Sequence, residues 1–268
     1  MSMMLEWMVA YLALGALVGF FAGMLGIGGG AIMVPLLVLM FFAQGLPAEH
    51  VVHLAVGTSM STILFTSLSS IRSHQKRGSI RWDIFRGMTP GILLGGLAGS
   101  VVASLVPSNV LAIAFTVVIA FAATNILLDR APSPSRGMPG AAGLFGVGAG
   151  ISALSAVAAM GGAFISVPYM LWCNVAMINA VGTAASLGFP IAVAGTIGYV
   201  YNGLQDHGLP PLTLGYIYLP AMAGIVVTSM LVAPVGTAAA HKLPTKWLKR
   251  IYAILLYVLA VRMLIKVW

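Results

Sequence analysis

The sequence predicts an all-α polytopic membrane protein built from two inverted repeats, each of about four to five helical segments. Three observations support this prediction. Of the 268 residues, 60% are hydrophobic and only 7% are charged, whereas soluble domains carry about 25% charged residues. Apolar runs of roughly 20 residues, the length of a membrane-spanning helix, recur along the chain. A glycine-rich motif inside one such run has a counterpart in the second half of the chain.

Hydropathy divides the chain into ten apolar segments, of which two are too short to cross a bilayer unaided. Those two, 31–43 and 163–173, each follow a glycine motif, so we expect each to form a broken or re-entrant pair with the segment before it. Whether they span fully is left open. The predicted segments are 5–27, 31–43, 50–71, 83–105, 109–128, 141–159, 163–173, 178–201, 213–238 and 247–266.

The order of motifs in the first half is repeated in the second. Pro168 follows Pro35 by 133 positions, and Gly236 follows Gly99 by 137. Between the halves lies a stretch rich in Pro, Ser and Gly, which is typical of a linker. The sequence therefore predicts three parts. They are a first transmembrane repeat at 1–128, a cytoplasmic linker at 129–139 and a second transmembrane repeat at 140–268.

The distribution of Lys and Arg predicts the orientation of the spans. Loops 72–82 and 239–250 each hold four of these residues, whereas loops 44–49, 106–108 and 202–212 hold none. Since Lys and Arg concentrate on the cytoplasmic side, the first two loops should face inward and the other three outward. Both termini are then periplasmic, and the two halves have opposite orientations, as in many secondary transporters.

Charge and motif content exclude several classes of function. The net charge of +8 does not indicate nucleic-acid binding, because the basic residues lie beside the spans, where they contact lipid headgroups. A single cysteine, Cys173, excludes an internal disulfide. We expect that the protein binds no metal or cofactor and is not an enzyme, since metal-binding and catalytic motifs are absent. All five acidic residues fall in loops or at span ends, which favours an anion over a cation as substrate.

The two glycine clusters are the first candidates for substrate binding. Gly28, Gly29 and Gly30 precede one short segment, and Gly161 and Gly162 precede the other. A helix that restarts inside the bilayer presents free N–H groups and a partial positive charge, which together bind anions. The structural alternative is close helix packing through small residues.

Three hydroxyl residues and one histidine complete the candidate site. Thr58 and Ser59 follow Gly57, and Thr183 follows the corresponding glycine in the second half. Their hydroxyls can donate to an oxyanion, or instead bond to carbonyls of their own helix. His53 can bind an anion when it is protonated; a capping or interfacial role is the alternative.

In combination, the motifs of this chain resemble those of the TauE/SafE sulfite exporter family. The residues that carry the resemblance are Gly26–Gly30 with Pro35, His53–Ser59, Ser69, Ser70, and His74 with Gly78–Trp82. The resemblance implies a bacterial inner-membrane exporter of small sulfur oxyanions or organosulfonates, built as two related repeats.

The second half departs from the family pattern. Ala159 stands where the first half has Gly26, Ala163 stands where it has a third glycine, and no histidine corresponds to His53. The second half-site is therefore expected to contribute packing more than ligand contacts.

The sequence thus predicts a secondary transporter that exports a small sulfur oxyanion or organosulfonate, sulfite first among them, across the bacterial inner membrane. Its expected partners are the anionic substrate and membrane lipid, and not nucleic acid; a homo-oligomer is left open. The alternatives are an uptake permease for a related anion, a membrane-embedded enzyme that does not transport, and a structural or channel-like membrane protein.

Overall fold

The computed structural model describes residues 2–25, 29–128, 135–242 and 245–267, with side chains except at 2–4, 23–25, 237–242 and 245–249. These residues form ten helices and a two-stranded antiparallel hairpin. The helices are α1 (Ser2–Leu25), α2 (Gly30–Ala43), α3 (Ala48–Lys76), α4 (Trp82–Leu105), α5 (Ser108–Leu128), α6 (Ala141–Ala158), α7 (Ala163–Trp172), α8 (Met177–Leu204), α9 (Leu219–Lys242) and α10 (Thr245–Val267). The strands are β1 (Thr213–Leu214) and β2 (Ile217–Tyr218).

Seven helices of the described chain are long and apolar enough to cross a membrane, namely α1, α3, α4, α5, α6, α8 and α9. This confirms the prediction of an α-helical polytopic membrane protein. The helices α2 and α7 are short, with 14 and 10 residues. At a rise of about 1.5 Å per residue they measure about 21 and 15 Å, against about 30 Å for the hydrocarbon core. Neither can cross the bilayer alone.

Helices α3 and α8 form the centre of the molecule. In their most apolar windows, 78% and 67% of the residues are buried, compared with 28–44% in the other five candidate spans. The two helices pack against each other, and many of their serine and threonine side chains are buried. The buried serine and threonine residues on them are Thr58, Ser59, Ser61, Thr62, Ser67, Thr183 and Ser186.

The two halves of the chain are interleaved. The most extensive helix packing joins α1 to α9 and α4 to α6, and each pair combines one helix from each half. An added Cβ at Gly99 of α4 would lie 2.7 Å from the carbonyl oxygen of Ala153, and one at Gly236 of α9 would lie 2.0 Å from that of Phe20. Small residues thus allow close backbone approach, and the predicted pair Gly99 and Gly236 makes corresponding contacts.

Two boundaries refine the sequence prediction. Helix α3 continues to Lys76 instead of ending at 71, because the polar residues that follow include good helix formers. The predicted segment 213–238 begins with the hairpin, whose turn contains Gly215 at a φ of +55°, and α9 starts only at Leu219. The predicted linker 129–139 lies between α5 and α6, although residues 129–134 are outside the described chain.

Candidate functional site

The two helix breaks predicted from the glycine motifs meet inside the protein. The first break lies between α1 and α2, and the second lies between α6 and α7. An added Cβ at Gly30, the first residue of α2, would lie 1.9 Å from the carbonyl oxygen of Ala159, which ends α6. Both residues are buried. The backbone of one half therefore touches the backbone of the other half at the two breaks.

The second break has an unusual backbone. Ala159 has a φ of +46° and Gly162 has a φ of +72°, so the chain passes twice through the left-handed region. This region costs a residue with a Cβ about 1–2 kcal/mol, and strain of this kind clusters at functional sites. Glycine accommodates the conformation at Gly162, but Ala159 bears the strain.

Each break exposes the N-terminus of a helix. At the first, the carbonyl oxygen of Gly29 accepts hydrogen bonds from the backbone N–H groups of Ile32 and Met33. At the second, the carbonyl oxygen of Gly162 accepts them from the N–H groups of residues 165 and 166. The N–H groups before these have no acceptor within their own helix, and a glycine N-cap supplies no side-chain acceptor. Two buried helix N-termini can therefore offer donors to an anion.

Buried hydroxyl groups without partners provide a second kind of donor. Ser59 on α3 and Ser155 on α6 are both fully buried. Neither hydroxyl oxygen has a hydrogen-bond partner within the described chain. An added Cβ at Gly162 would lie 3.3 Å from the Ser155 hydroxyl oxygen, so this hydroxyl lies beside the second break. An unpartnered hydroxyl is costly in a membrane protein, and a bound oxyanion would satisfy it.

Ser155 was missed by sequence reasoning. The signal that could have found it is the comparison of the halves, which places Ala22 at the position equivalent to Ser155 and Gly19 at the position equivalent to Ser152. Ser152 is also buried, with no hydrogen-bond partner in the described chain. The second half thus replaces two small apolar positions with hydroxyls on the helix that leads into its break.

The remaining glycines differ in the space around them. An added Cβ at Gly29 would lie 2.1 Å from Cγ1 of Val18, whereas the nearest atom to one at Gly161 would be Cα of Gly188 at 3.8 Å. Gly188 in turn faces Ser67 of α3. The backbone at Gly161 is therefore less tightly packed than that at Gly29, and it lies next to α3 and α8. Gly28 lies outside the described residues.

The two candidate threonines make corresponding hydrogen bonds across the halves. The backbone N–H of Tyr218 donates to Oγ1 of Thr58 at 3.0 Å, and that of Arg81 donates to Oγ1 of Thr183 at 2.9 Å. Tyr218 directly precedes α9, and Arg81 directly precedes α4. Each threonine therefore holds the start of a helix from the other half, and its own hydroxyl proton is still available for a ligand.

His53 joins α3 to the connection between α4 and α5. Its Nε2 lies 3.1 Å from the carbonyl oxygens of both Ala103 and Val106, and its Nδ1 lies 3.2 Å from Oγ of Ser108. An Nε2–H group would donate to the two carbonyls. These contacts cap the carbonyl end of α4, as in the alternative of a capping histidine, and a role for His53 in substrate binding stays a prediction.

A cavity of about 210 Å³ lies away from the breaks. It is lined by Trp7, Met8, Tyr11, Gln44, Leu46, Tyr218 and Pro220. Tyr218 connects this cavity to the candidate site, because its backbone N–H bonds to Thr58. Within the described chain, no group of three or more His, Cys, Asp or Glu residues could hold a metal ion.

The known proteins similar to this chain are named as membrane transporters. The family model described as sulfite exporter TauE/SafE matches residues 11–263. A probable membrane transporter protein of Haemophilus influenzae is 31% identical over 98% of this chain and 100% of that protein. The probable membrane transporter protein YdhB of Bacillus subtilis is 29% identical over 72% of this chain and 79% of its own. One from Methanocaldococcus jannaschii is 25% identical over 94% of this chain and 93% of its own. No solved structure matches the chain.

Proposed function

Since the chain belongs to the sulfite exporter TauE/SafE family, we propose that it is a secondary transporter that exports a small sulfur oxyanion or organosulfonate, with sulfite as the first choice, across the bacterial inner membrane. The observation that carries the proposal is the meeting of the two helix breaks at Gly30 and Ala159. Broken helices that meet between repeats are where secondary transporters bind their substrates.

The proposed site binds the anion through neutral donors. Backbone N–H groups at the starts of α2 and α7 supply one set, and the hydroxyls of Ser59 and Ser155 supply another. Thr58 and Thr183 add hydroxyl protons from the two central helices. Each of these groups can donate a hydrogen bond to an oxyanion, and none is a carboxylate that would repel it. A site without fixed positive charge lets the anion leave again, which transport requires.

We infer that the two halves are inverted repeats. The hydrogen bond from Tyr218 to Thr58 and that from Arg81 to Thr183 correspond residue by residue, since Tyr218 and Arg81 are separated by the same 137 positions as Gly236 and Gly99. Such reciprocal contacts are expected from a two-fold relation between halves. The distribution of Lys and Arg supports opposite orientations in the membrane, with both termini periplasmic.

Purified protein in proteoliposomes tests the proposal. Vesicles loaded with unlabelled sulfite should accumulate labelled sulfite from outside, and external sulfite should compete for this counterflow. Sulfate, thiosulfate, taurine and sulfoacetate, tested as competitors, define the substrate class. Absence of saturable counterflow with every one of these anions would refute the proposal. Net flux in vesicles of known orientation then separates an exporter from an uptake permease.

A further inference from the structure

A cluster of titratable side chains lies apart from the helix breaks. It consists of Glu49 and His50 at the start of α3, Asp206 just after α8, and Tyr216 in the turn of the hairpin. We call these four residues the His50 cluster. Glu49 and Asp206 lie in the regions 44–49 and 202–212, which lack Lys and Arg and are predicted to face outward.

The imidazole of His50 is held between two carboxylates. His50 is only 8% exposed, its Nδ1 lies 3.1 Å from Oδ2 of Asp206, and its Nε2 lies 3.3 Å from Oε1 of Glu49. Nε2 is buried and has no hydrogen-bond partner in the described chain, so its approach to Glu49 is close without being a hydrogen bond.

This geometry suits an imidazole that carries two protons. In the neutral form only one ring nitrogen bears a proton. If that proton is on Nδ1 and is donated to Asp206, the lone pair of Nε2 faces a carboxylate oxygen of Glu49, which is repulsive. Addition of a proton to Nε2 turns this contact into an attraction. Each ring nitrogen therefore faces a carboxyl oxygen, Nδ1 at 3.1 Å and Nε2 at 3.3 Å, so a proton on either nitrogen would have an acceptor.

Asp206 and Tyr216 hold the imidazole in place. The hydroxyl of Tyr216 donates to Oδ2 of Asp206 at 2.6 Å, the same oxygen that faces His50. Burial, and then this hydrogen bond, raise the pKa of Tyr216, so its hydroxyl stays protonated and acts as the donor. The Tyr216 ring also lies 6.4 Å from the His50 ring and 5.2 Å from that of His53, centroid to centroid. The titratable and charged groups around His50 are therefore Glu49, Asp206, Tyr216 and His53.

The hairpin connects the His50 cluster to the proposed substrate site. An added Cβ at Gly57 would lie 2.3 Å from the carbonyl oxygen of Tyr216. Two residues further on, the backbone N–H of Tyr218 donates to Thr58. A shift of Tyr216 that follows a change of charge at His50 would be transmitted to Thr58 through only two residues of chain.

We propose that His50 is the proton-binding site that couples transport to the proton gradient, with one proton from water added to the Nε2 lone pair and released again in each cycle. The coupled ion is then H⁺, bound by a histidine–carboxylate cluster and not by the substrate. This inference rests on the proposed function, because it assumes that the chain transports an anion.

The test separates anion exchange from proton movement. Proteoliposomes containing wild-type protein, His50→Gln or His207→Gln are assayed for sulfite counterflow, which needs no proton gradient, and for the internal pH change that accompanies net sulfite flux. His207 is an exposed histidine next to Asp206, so His207→Gln is the matched control. We expect all three proteins to retain counterflow. During net sulfite flux, the internal pH change per sulfite should be smaller in His50→Gln than in wild type and His207→Gln.

Each other outcome decides between the two proposals. An equal pH change per sulfite in wild type and His50→Gln would mean that the substrate itself carries the proton, and would overturn the role of His50. No counterflow in wild type would overturn the proposed function, and this inference with it. If His50→Gln does not insert, Asp206→Asn replaces it, because it removes a carboxylate yet still offers Tyr216 an acceptor. Wild-type proton movement in Asp206→Asn would also overturn the proposal.

Discussion

The two helix breaks occupy equivalent positions but are built differently. At the first break, Gly29 is tightly packed against Val18 and has an ordinary helical φ of −82°. At the second, the chain is strained at Ala159, an added Cβ at Gly161 would meet only Cα of Gly188 at 3.8 Å, and the hydroxyl of Ser155 has no partner within the described chain. Gly29 is thus more crowded than Gly161, which holds the place one residue earlier in its own cluster. We propose that the ligand contacts lie more at the second break, whereas the sequence analysis expected them at the first.

The largest effect is expected where the two breaks touch. In Gly30→Ala, the new methyl group would overlap the carbonyl oxygen of Ala159, at 1.9 Å, and force the breaks apart. We expect sulfite counterflow to be abolished and the free energy of unfolding to fall by about 1–3 kcal/mol. Gly146→Ala on α6 is the control, because no atom lies within 4 Å of its added Cβ. Equal counterflow in both variants would contradict the claim that transport requires the close contact between the two breaks.

The next largest effect concerns the ligand contacts of the second break. Ser155→Ala removes a buried hydroxyl that has no partner in the described chain. We expect the sulfite concentration for half-maximal counterflow to rise by about tenfold or more, the value of a hydrogen bond to a charged group, with no loss of thermal stability. Ser186→Ala is the matched control, since the Ser186 hydroxyl already donates to the carbonyl oxygen of Gly182. A half-saturation concentration equal to that of the wild type in Ser155→Ala would mean that Ser155 does not contact the anion, and would favour the first break as the binding site.

The two threonines test whether the halves are equivalent at the two central helices, α3 and α8. Thr58→Val leaves the N–H of Tyr218 without its acceptor, and Thr183→Val does the same to Arg81. We expect each to lower the free energy of unfolding by about 1–2 kcal/mol, measured by thermal unfolding in detergent. A large cost in one variant and none in the other would show that only one of the two contacts is structural.

The smallest effect is a gain in stability at the second break. Ala159 has a φ of +46°, which glycine adopts without a steric cost. Ala159→Gly should therefore raise the free energy of unfolding by up to about 1 kcal/mol, after the entropic cost of glycine is subtracted. Thermal unfolding beside the wild type measures the change. Destabilisation would mean that packing of the Ala159 methyl group stabilises the protein by more than the backbone strain costs.

Much of the fold could be predicted from sequence because the lipid environment leaves few alternatives. Apolar runs of membrane length can only be helices or strands of a closed barrel, and glycine motifs within two of those runs indicated where helices break. The hairpin at 213–218 could not be found in this way, because it lies at the edge of an apolar run. Its two strands are only two residues long, too short for a periodic pattern.

The elements of the candidate site could be predicted only in part, for a different physical reason. The glycine clusters and the threonines were visible as repeated motifs, and the structure brings the two breaks together. Ser155 was not visible, since a serine in a membrane helix usually bonds to its own backbone, as Ser186 does here. Only the three-dimensional structure shows that Ser155 lacks such a partner in the described chain. The position of His50 between Glu49 and Asp206 likewise depends on a loop that periodicity does not describe.

The central claim is that the anion binds beside the helix breaks, and its most direct test is the location of a bound anion. Crystals of the protein grown with selenite, a heavier analogue of sulfite, would reveal the selenium atom by its anomalous scattering. We predict a selenium peak within hydrogen-bonding reach of the Ser155 hydroxyl and the start of α7. An excess of sulfite should compete with selenite and remove this peak. A peak in the cavity lined by Trp7, Tyr11 and Gln44, with none at the breaks, would contradict the account.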